Sequence, residues 1–213
     1  MLNRRYFSSS LASSLVLPLA ATVATSSLFA QGAVATVGQA APGFSALDTV
    51  GKSHKLSDFK GKLVVLEWTN PGCPFVRKHY SGNMQSLQQE FTGKGVVWLA
   101  VNSTETESVD YLAPAKLAGW MGEKHAKPTA TLMDESGKIG QLYGAKTTPH
   151  MYIVNPQGML VYAGGIDSIA STRVDDIKTA TNYVRQGLSE ALGGKTISVV
   201  SSRAYGCSVK YKA

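Results

Sequence analysis

The stretch that most constrains this chain is Leu63–Tyr80, LVVLEWTNPGCPFVRKHY. An apolar run, Leu63–Trp68, ends in a polar turn, Thr69-Asn70-Pro71-Gly72, and Cys73-Pro74 follows at the head of a helical pattern. A near-continuous apolar run suits a strand buried on both faces. Proline suits the first position of a helix, where no N–H is needed. A strand that delivers a cysteine onto a helix start makes a reactive thiol. Free cysteine has a pKa of about 8.5, and only the thiolate is nucleophilic. A helix N-terminus contributes at most about 2 kcal/mol; with one pKa unit being about 1.4 kcal/mol, the dipole alone lowers the pKa by roughly one unit. Arg77, one turn on, adds positive potential if it points back.

The surrounding sequence organises itself around this stretch. Phe44–Asp48 and Gly51–Lys55 read as short strands joined at Thr49–Lys52, and Leu56–Phe59 as a helical turn. Val76, Tyr80, Met84, Leu87 and Phe91 recur at helical spacing, which predicts a helix over Pro74–Phe91 weakened or kinked at Gly82. Val96–Val101 is a second buried strand, so strand, helix and strand form a right-handed parallel βαβ unit. A helical region is expected from Asn102–Glu107 through about Trp120, with Pro114 near a helix start or as its breaker. Ala130–Met133 reads as a strand and Ile139–Tyr143 as a short helix. Met151–Val154 and Leu160–Ala163 flank Asn155-Pro156-Gln157-Gly158 and predict a hairpin. Asn182–Leu192 is a closing helix. The expected fold is α/β, a central mixed sheet flanked by helices in a single domain from about 38 to 213.

Residues 1–33 resemble a cleavable export signal. Arg4-Arg5 precede an uncharged segment, Leu11–Phe29, and the small residues Ala30 and Ala33 offer cleavage points. Asn3-Arg4-Arg5-Tyr6-Phe7 also resembles the twin-arginine export motif. No other apolar stretch is long enough to span a bilayer, so the mature form is expected not to cross the membrane and to be periplasmic or secreted. The net charge is +7, but its lysines and arginines are dispersed and form no basic stripe with interleaved aromatics. That argues against nucleic acid as a partner.

Two cysteines, Cys73 and Cys207, remain for an oxidising compartment. They lie far apart, and a bridge closing so long a loop stabilises by roughly 4–5 kcal/mol on the chain-entropy account. A structural staple is therefore one reading, and a reversible pair is another.

At Trp68–Val76 the sequence resembles the thioredoxin-like superfamily. Gly51–Lys62 resembles the leading segment of extracytoplasmic thioredoxin-like and peroxiredoxin-like proteins. Thr148-Pro149-His150, before a strand, is similar to the cis-proline loop that lies against the active-site cysteine in that superfamily. The single cysteine in the first CxxC position, Cys-Pro-Phe-Val, and the tail Tyr205-Gly206-Cys207-Ser208-Val209-Lys210 resemble peroxiredoxin-like (AhpC/TSA-type) redoxins. The resemblance implies a thioredoxin-like fold and thiol-disulfide or antioxidant activity. It implies Cys73 as nucleophile, Cys207 as resolving thiol, and Trp68, Asn70, Pro74, Thr148, Pro149 and His150 as active-site support. It implies no cofactor and no metal, a protein thiol/disulfide or peroxide as substrate, and a reducing partner protein. Val76 stands where a second CxxC cysteine would fall. Asn70 and Leu66 stand where a peroxiredoxin has threonine and proline.

Three further residues are candidates. His79 reads as an exposed helix histidine, with a base or ligand role as the alternative. His150 is placed near the thiol, and Glu67 either influences a neighbouring proton or faces water. Two other functions stay open: a redox-inert scaffold stapled by Cys73–Cys207, and a copper-binding module using Cys73, Cys207 and His150.

Overall fold

The structure is a computed structural model that describes residues 1–2 and 34–212. The chain divides into two units, Met1–Gln31 and Gly32–Ala213. Apart from Met1 and Leu2, the described residues belong to the second, and the expected export signal lies outside them. Ala35 already donates its amide to the Leu142 carbonyl (2.9 Å).

The second unit opens with a hairpin, β1 (Ser45–Leu47) and β2 (Ser53–Lys55), and a 3-10 turn at Leu56–Phe59. There follow β3 (Val64–Trp68), α1 (Pro74–His79), α2 (Asn83–Thr92), β4 (Val97–Asn102), α3 (Pro114–Glu123), β5 (Ala130–Met133) and α4 (Lys138–Tyr143). The chain ends through β6 (Thr147–Thr148), β7 (His150–Val154), β8 (Leu160–Gly164), α5 (Tyr183–Leu192) and β9 (Cys207–Ser208). The central sheet runs β5-β4-β3-β7-β8. β3 is parallel to β4 and β4 to β5, whereas β7 is antiparallel to both β3 and β8.

Alternation along the strands sorts the core onto two faces. Val65, Trp98, Ala100, Met151 and Ile153 pack with residues of α1, α2, α3 and α5, and Cys73 belongs to this cluster. Val64, Leu66, Trp68, Leu99, Val101 and Tyr152 pack on the other face against α4 and the leading segment around Phe44 and Phe59. Helices thus flank a mixed sheet unequally, with the β1–β2 hairpin supplementing the thinner layer. β3 is buried at every residue because it sits at the centre of the sheet.

Two helices differ from expectation. The helix predicted over Pro74–Phe91 is two helices: α1 ends at His79 with Tyr80 as its C-cap, and Gly82, at φ +135°, a conformation that glycine reaches readily, breaks the continuity and caps the start of α2. The region predicted helical from Asn102 is loop until Ala113. Asn102 is the last residue of β4 and its side chain bonds the Thr69 carbonyl and the Thr104 amide, while Pro114 opens α3 at its first turn.

Candidate active site

The turn before Cys73 is built by its own side chains. Asn70 accepts from the Gly72 amide through Oδ1 (2.7 Å), and its backbone carbonyl accepts from the Cys73 amide (3.0 Å). Arg77 does point back: its Nε donates to the Pro71 carbonyl at 2.7 Å. Gly72 is required by crowding, since a Cβ there would sit 2.6 Å from Asp110 Oδ1. Asp110 also accepts from Asn70 Nδ2 (3.4 Å). Cys73 is the N-cap of α1, with Pro74 following in the first turn.

Three segments meet at the Cys73 sulfur. The thiol donates to the Thr148 carbonyl at 3.0 Å, and the Thr148–Pro149 peptide is cis. Thr148 in β6 pairs with Cys207 in β9, which sets Cys207 beside the residue that Cys73 touches. The tail is held on both sides of this pairing. The Val209 amide donates to the Lys146 carbonyl (3.1 Å) and the Glu105 amide to the Lys210 carbonyl (2.9 Å). Gly206 has φ +141°, and a Cβ on it would lie 2.0 Å from the Thr148 carbonyl oxygen. Only glycine lets the tail approach so closely.

Cys73 is buried and Cys207 half-buried, and both are free thiols. The Cys207 thiol is pushed up to about 12, first by burial and then by its hydrogen bond to Cys73 and by the negative charge Cys73 carries when ionised; Lys210 opposes this and Asp110 adds to it. Cys207 therefore holds its proton at neutral pH. In the reduced protein its carboxamidomethylation at pH 8 is expected to run at least about tenfold slower than that of free cysteine. In Cys73→Ser it should quicken, because the second and third causes are removed. Mass spectrometry of timed quenches measures both rates, and equal rates in the two proteins would contradict the coupling.

Glu67 does not face water. It is fully buried on the Cys73 face and accepts from Trp98 Nε1 (2.7 Å), Tyr80 Oη (2.7 Å) and Gln88 Nε2 (3.1 Å). Burial is the largest influence and raises its carboxyl above the ordinary 4.5, with the three donors opposing. A raised native value favours the neutral form. Its contribution to stability is complete below about pH 4.5, where the unfolded chain is also protonated, and is lost as pH rises toward the native value. Glu67→Gln removes this dependence. Urea midpoints at pH 4 and pH 8 should therefore shift in favour of the variant at the higher pH, by up to about 1.4 kcal/mol per pH unit crossed. A pH-independent difference would contradict it.

The other candidates fall elsewhere. Trp68 points to the opposite face of the sheet, where its indole N–H donates to Ser103 Oγ (3.0 Å) and Ser103 donates to Asp134 (2.6 Å). His150 alternates with Met151 and Ile153 and so joins Tyr152 on that same face, ring centroids 4.5 Å apart. Its Nδ1 meets the Lys146 amide (3.3 Å) and Tyr152 Oη (3.1 Å), and burial, with Lys146, lowers its pKa to about 4. His150 thus faces away from the thiols, and the trio Cys73, Cys207 and His150 does not converge. His79 is wholly buried rather than exposed: Nε2 bonds Tyr205 Oη (3.1 Å) and Nδ1 bonds Asn83 (2.8 Å), while burial lowers its pKa to about 4. Among the described residues no cluster of three or more His, Cys, Asp or Glu side chains is arranged to hold a metal ion.

A strand–cysteine–helix unit facing a cis-proline loop, in a five-stranded mixed sheet, defines a thioredoxin-like redoxin, a class of thiol-dependent oxidoreductases. Residues 37–163 match the AhpC/TSA family, and the chain belongs to that family. The matched segment contains Cys73 and Pro149 and ends before Cys207. Thiol-disulfide oxidoreductase ResA of Bacillus anthracis is 30% identical over 125 residues, covering 59% of this chain and 67% of that protein. Among solved structures, a hypothetical protein of Sinorhizobium meliloti superposes with a TM-score of 0.74 at 23% identity, covering 84% of this chain and 96% of that one. A putative thiol:disulfide interchange protein DsbE of Chlorobium tepidum gives 0.57 at 23% identity, over 75% and 99%. Among the described residues no helix is long and apolar enough to cross a membrane.

Proposed function

We propose that this protein is an extracytoplasmic thiol-disulfide oxidoreductase whose working pair is Cys73 and Cys207. The observation that carries the reading is the β6–β9 pairing, which sets Cys207 opposite Thr148, the residue whose carbonyl accepts the Cys73 thiol hydrogen bond. The Cys73 thiolate attacks one sulfur of a substrate disulfide. A new Cys73–substrate S–S bond forms, the substrate's bond breaks, and the released sulfur takes up a proton. Cys207 then loses its proton and attacks the Cys73 sulfur, expelling the second substrate sulfur as a thiol. The substrate gains two electrons and the protein becomes the Cys73–Cys207 disulfide, which a dithiol partner protein reduces by the same exchange. Asn70, Pro74, Thr148 and Pro149 shape the site. Trp68 and His150 support it only from the far face of β3 and β7.

A disulfide substrate suits this site better than a peroxide, since Asn70 and Leu66 replace the threonine and proline of the peroxidase motif. Export by cleavage within residues 1–33 supplies the oxidising setting, and N-terminal sequencing of the exported protein should start after Ala30 or Ala33. Non-reducing peptide mapping of the oxidised protein should find a single Cys73–Cys207 link that dithiothreitol and a thioredoxin open. Two thiols that stay free under glutathione disulfide would refute the reading. A bond that resists thioredoxin would instead mark a structural staple.

A further inference from the structure

On that reading of the thiol pair, we propose that Tyr205 is the positioning residue that holds Cys207 at Cys73. Tyr205 lies two residues before Cys207 and is 8% exposed. Its hydroxyl donates to Asp167 Oδ1 and bonds His79 Nε2. Its ring meets Phe75 edge-on at 5.8 Å, and the Lys78 ammonium stands 5.9 Å from the ring centroid. Phe75, Lys78 and His79 all belong to α1, the six-residue helix that Cys73 caps. The anchor of the tail and the nucleophile therefore ride on one short rigid element.

The far side of the anchor is equally fixed. Asp167 is buried, with Oδ1 taking the Ile169 amide at 3.0 Å. Among the described residues its Oδ2 has no hydrogen-bond partner; the Lys78 ammonium stands 3.8 Å away, and the neutral His79 ring presents Nε2 at the same distance. The Lys78 side chain is itself fully buried and donates to the Ile169 carbonyl (3.3 Å). A buried charged cluster of this kind is costly compared with an apolar anchor of equal volume. What it provides is a directional anchor: a hydroxyl held between one fixed acceptor, Asp167 Oδ1, and one fixed donor, the His79 Nε2–H, whose Nδ1 accepts from Asn83. Beyond it, Gly206 presses against Thr148, so the chain has no slack between the Tyr205 anchor and the Cys207 sulfur. Holding two reacting groups in register raises their effective concentration, which for a dithiol appears directly in the equilibrium for closing the disulfide.

The test equilibrates the full-length mature protein with glutathione and glutathione disulfide. The closed fraction is read by mass after alkylation, for wild type, Tyr205→Phe and Tyr205→Ala. The closing constant should fall about tenfold in Tyr205→Phe, a shift of about 30 mV toward easier reduction, and further in Tyr205→Ala. In a Cys207→Ser background, Tyr205→Phe should leave the alkylation rate of Cys73 unchanged, because the residue acts on the tail and not on the nucleophile. Asp167→Asn, which removes the charge that the hydroxyl donates to, should lower the closing constant in the same direction and serves if Tyr205→Phe does not fold. A Tyr205→Phe constant within twofold of wild type overturns the proposal while leaving the exchange reading intact. An altered Cys73 rate also overturns it, by showing a general disturbance of the site. A wild-type protein that never closes the bond overturns the exchange reading itself.

Discussion

Cys73→Ser ends turnover. Coupled reduction of a glutathione mixed disulfide, followed with dithiothreitol as electron source, should fall at least about a hundredfold, to the background of the small thiols. The cause is not simply the loss of one thiol of two. Cys73 sits at the turn that Asn70 and Gly72 build, at the start of α1 and against the Thr148 carbonyl. Serine at this position keeps the shape but offers a hydroxyl that is not ionised at neutral pH. The remaining Cys207 can still form a mixed disulfide, and without a neighbour to resolve it the adduct persists. The complementary variant, Cys207→Ser, should accumulate the adduct on Cys73 instead. A Cys73→Ser protein that retains a tenth of wild-type turnover would show that the reaction does not pass through this sulfur.

Gly206→Val should uncouple the two thiols while leaving the domain folded. At φ +141° a branched side chain is strained, on the order of 1–3 kcal/mol, and its Cβ would fall 2.0 Å from the Thr148 oxygen. Both effects act where the tail enters β9 against β6, a separate two-stranded pair, and not on the five-stranded sheet. The tail has to lift from β6 to relieve them. The Cys73–Cys207 closing constant should fall by about two orders of magnitude, whereas the thermal midpoint should drop by only a few degrees. Equilibration with glutathione and a melting curve on the same sample separate the two. A closing constant near that of wild type would mean that the β6–β9 pairing does not position Cys207.

How much of this was legible beforehand follows a physical line. The apolar run of β3, its polar turn and the proline after Cys73 are local signals, and local geometry obeys them. So do β4, β5, the β7–β8 hairpin and α5, whose periods are long enough to read. The break between α1 and α2 was half legible: Gly82 was visible as a weak point, but its positive φ depends on how both helices pack on β3. The side on which His150 falls follows from strand alternation, because His150 shares parity with Tyr152 and Val154, on the face away from Cys73. Proximity in sequence to Pro149 was the weaker guide. His79 looked exposed because a polar residue on a helix normally faces water. It is buried because Asp167 and Tyr205, from distant segments, supply its partners. Nothing in the local sequence marks Asp167, Lys78 and Tyr205 as one cluster, since the contacts among them join three segments that only the fold brings together. The approach of Cys207 to Cys73 belongs to the same kind. The tail motif suggested it, and the antiparallel register of Thr148 with Cys207 supplies the geometry.

The central claim, that Cys73 and Cys207 form a working redox couple, is tested most directly by the reduction potential of the pair in the full-length mature protein, measured against graded glutathione or dithiothreitol buffers. The account predicts one two-electron transition, assigned by peptide mapping to Cys73–Cys207, with a midpoint above about −300 mV. Two thiols that stay free across the whole range, or a midpoint well below that value, would contradict it.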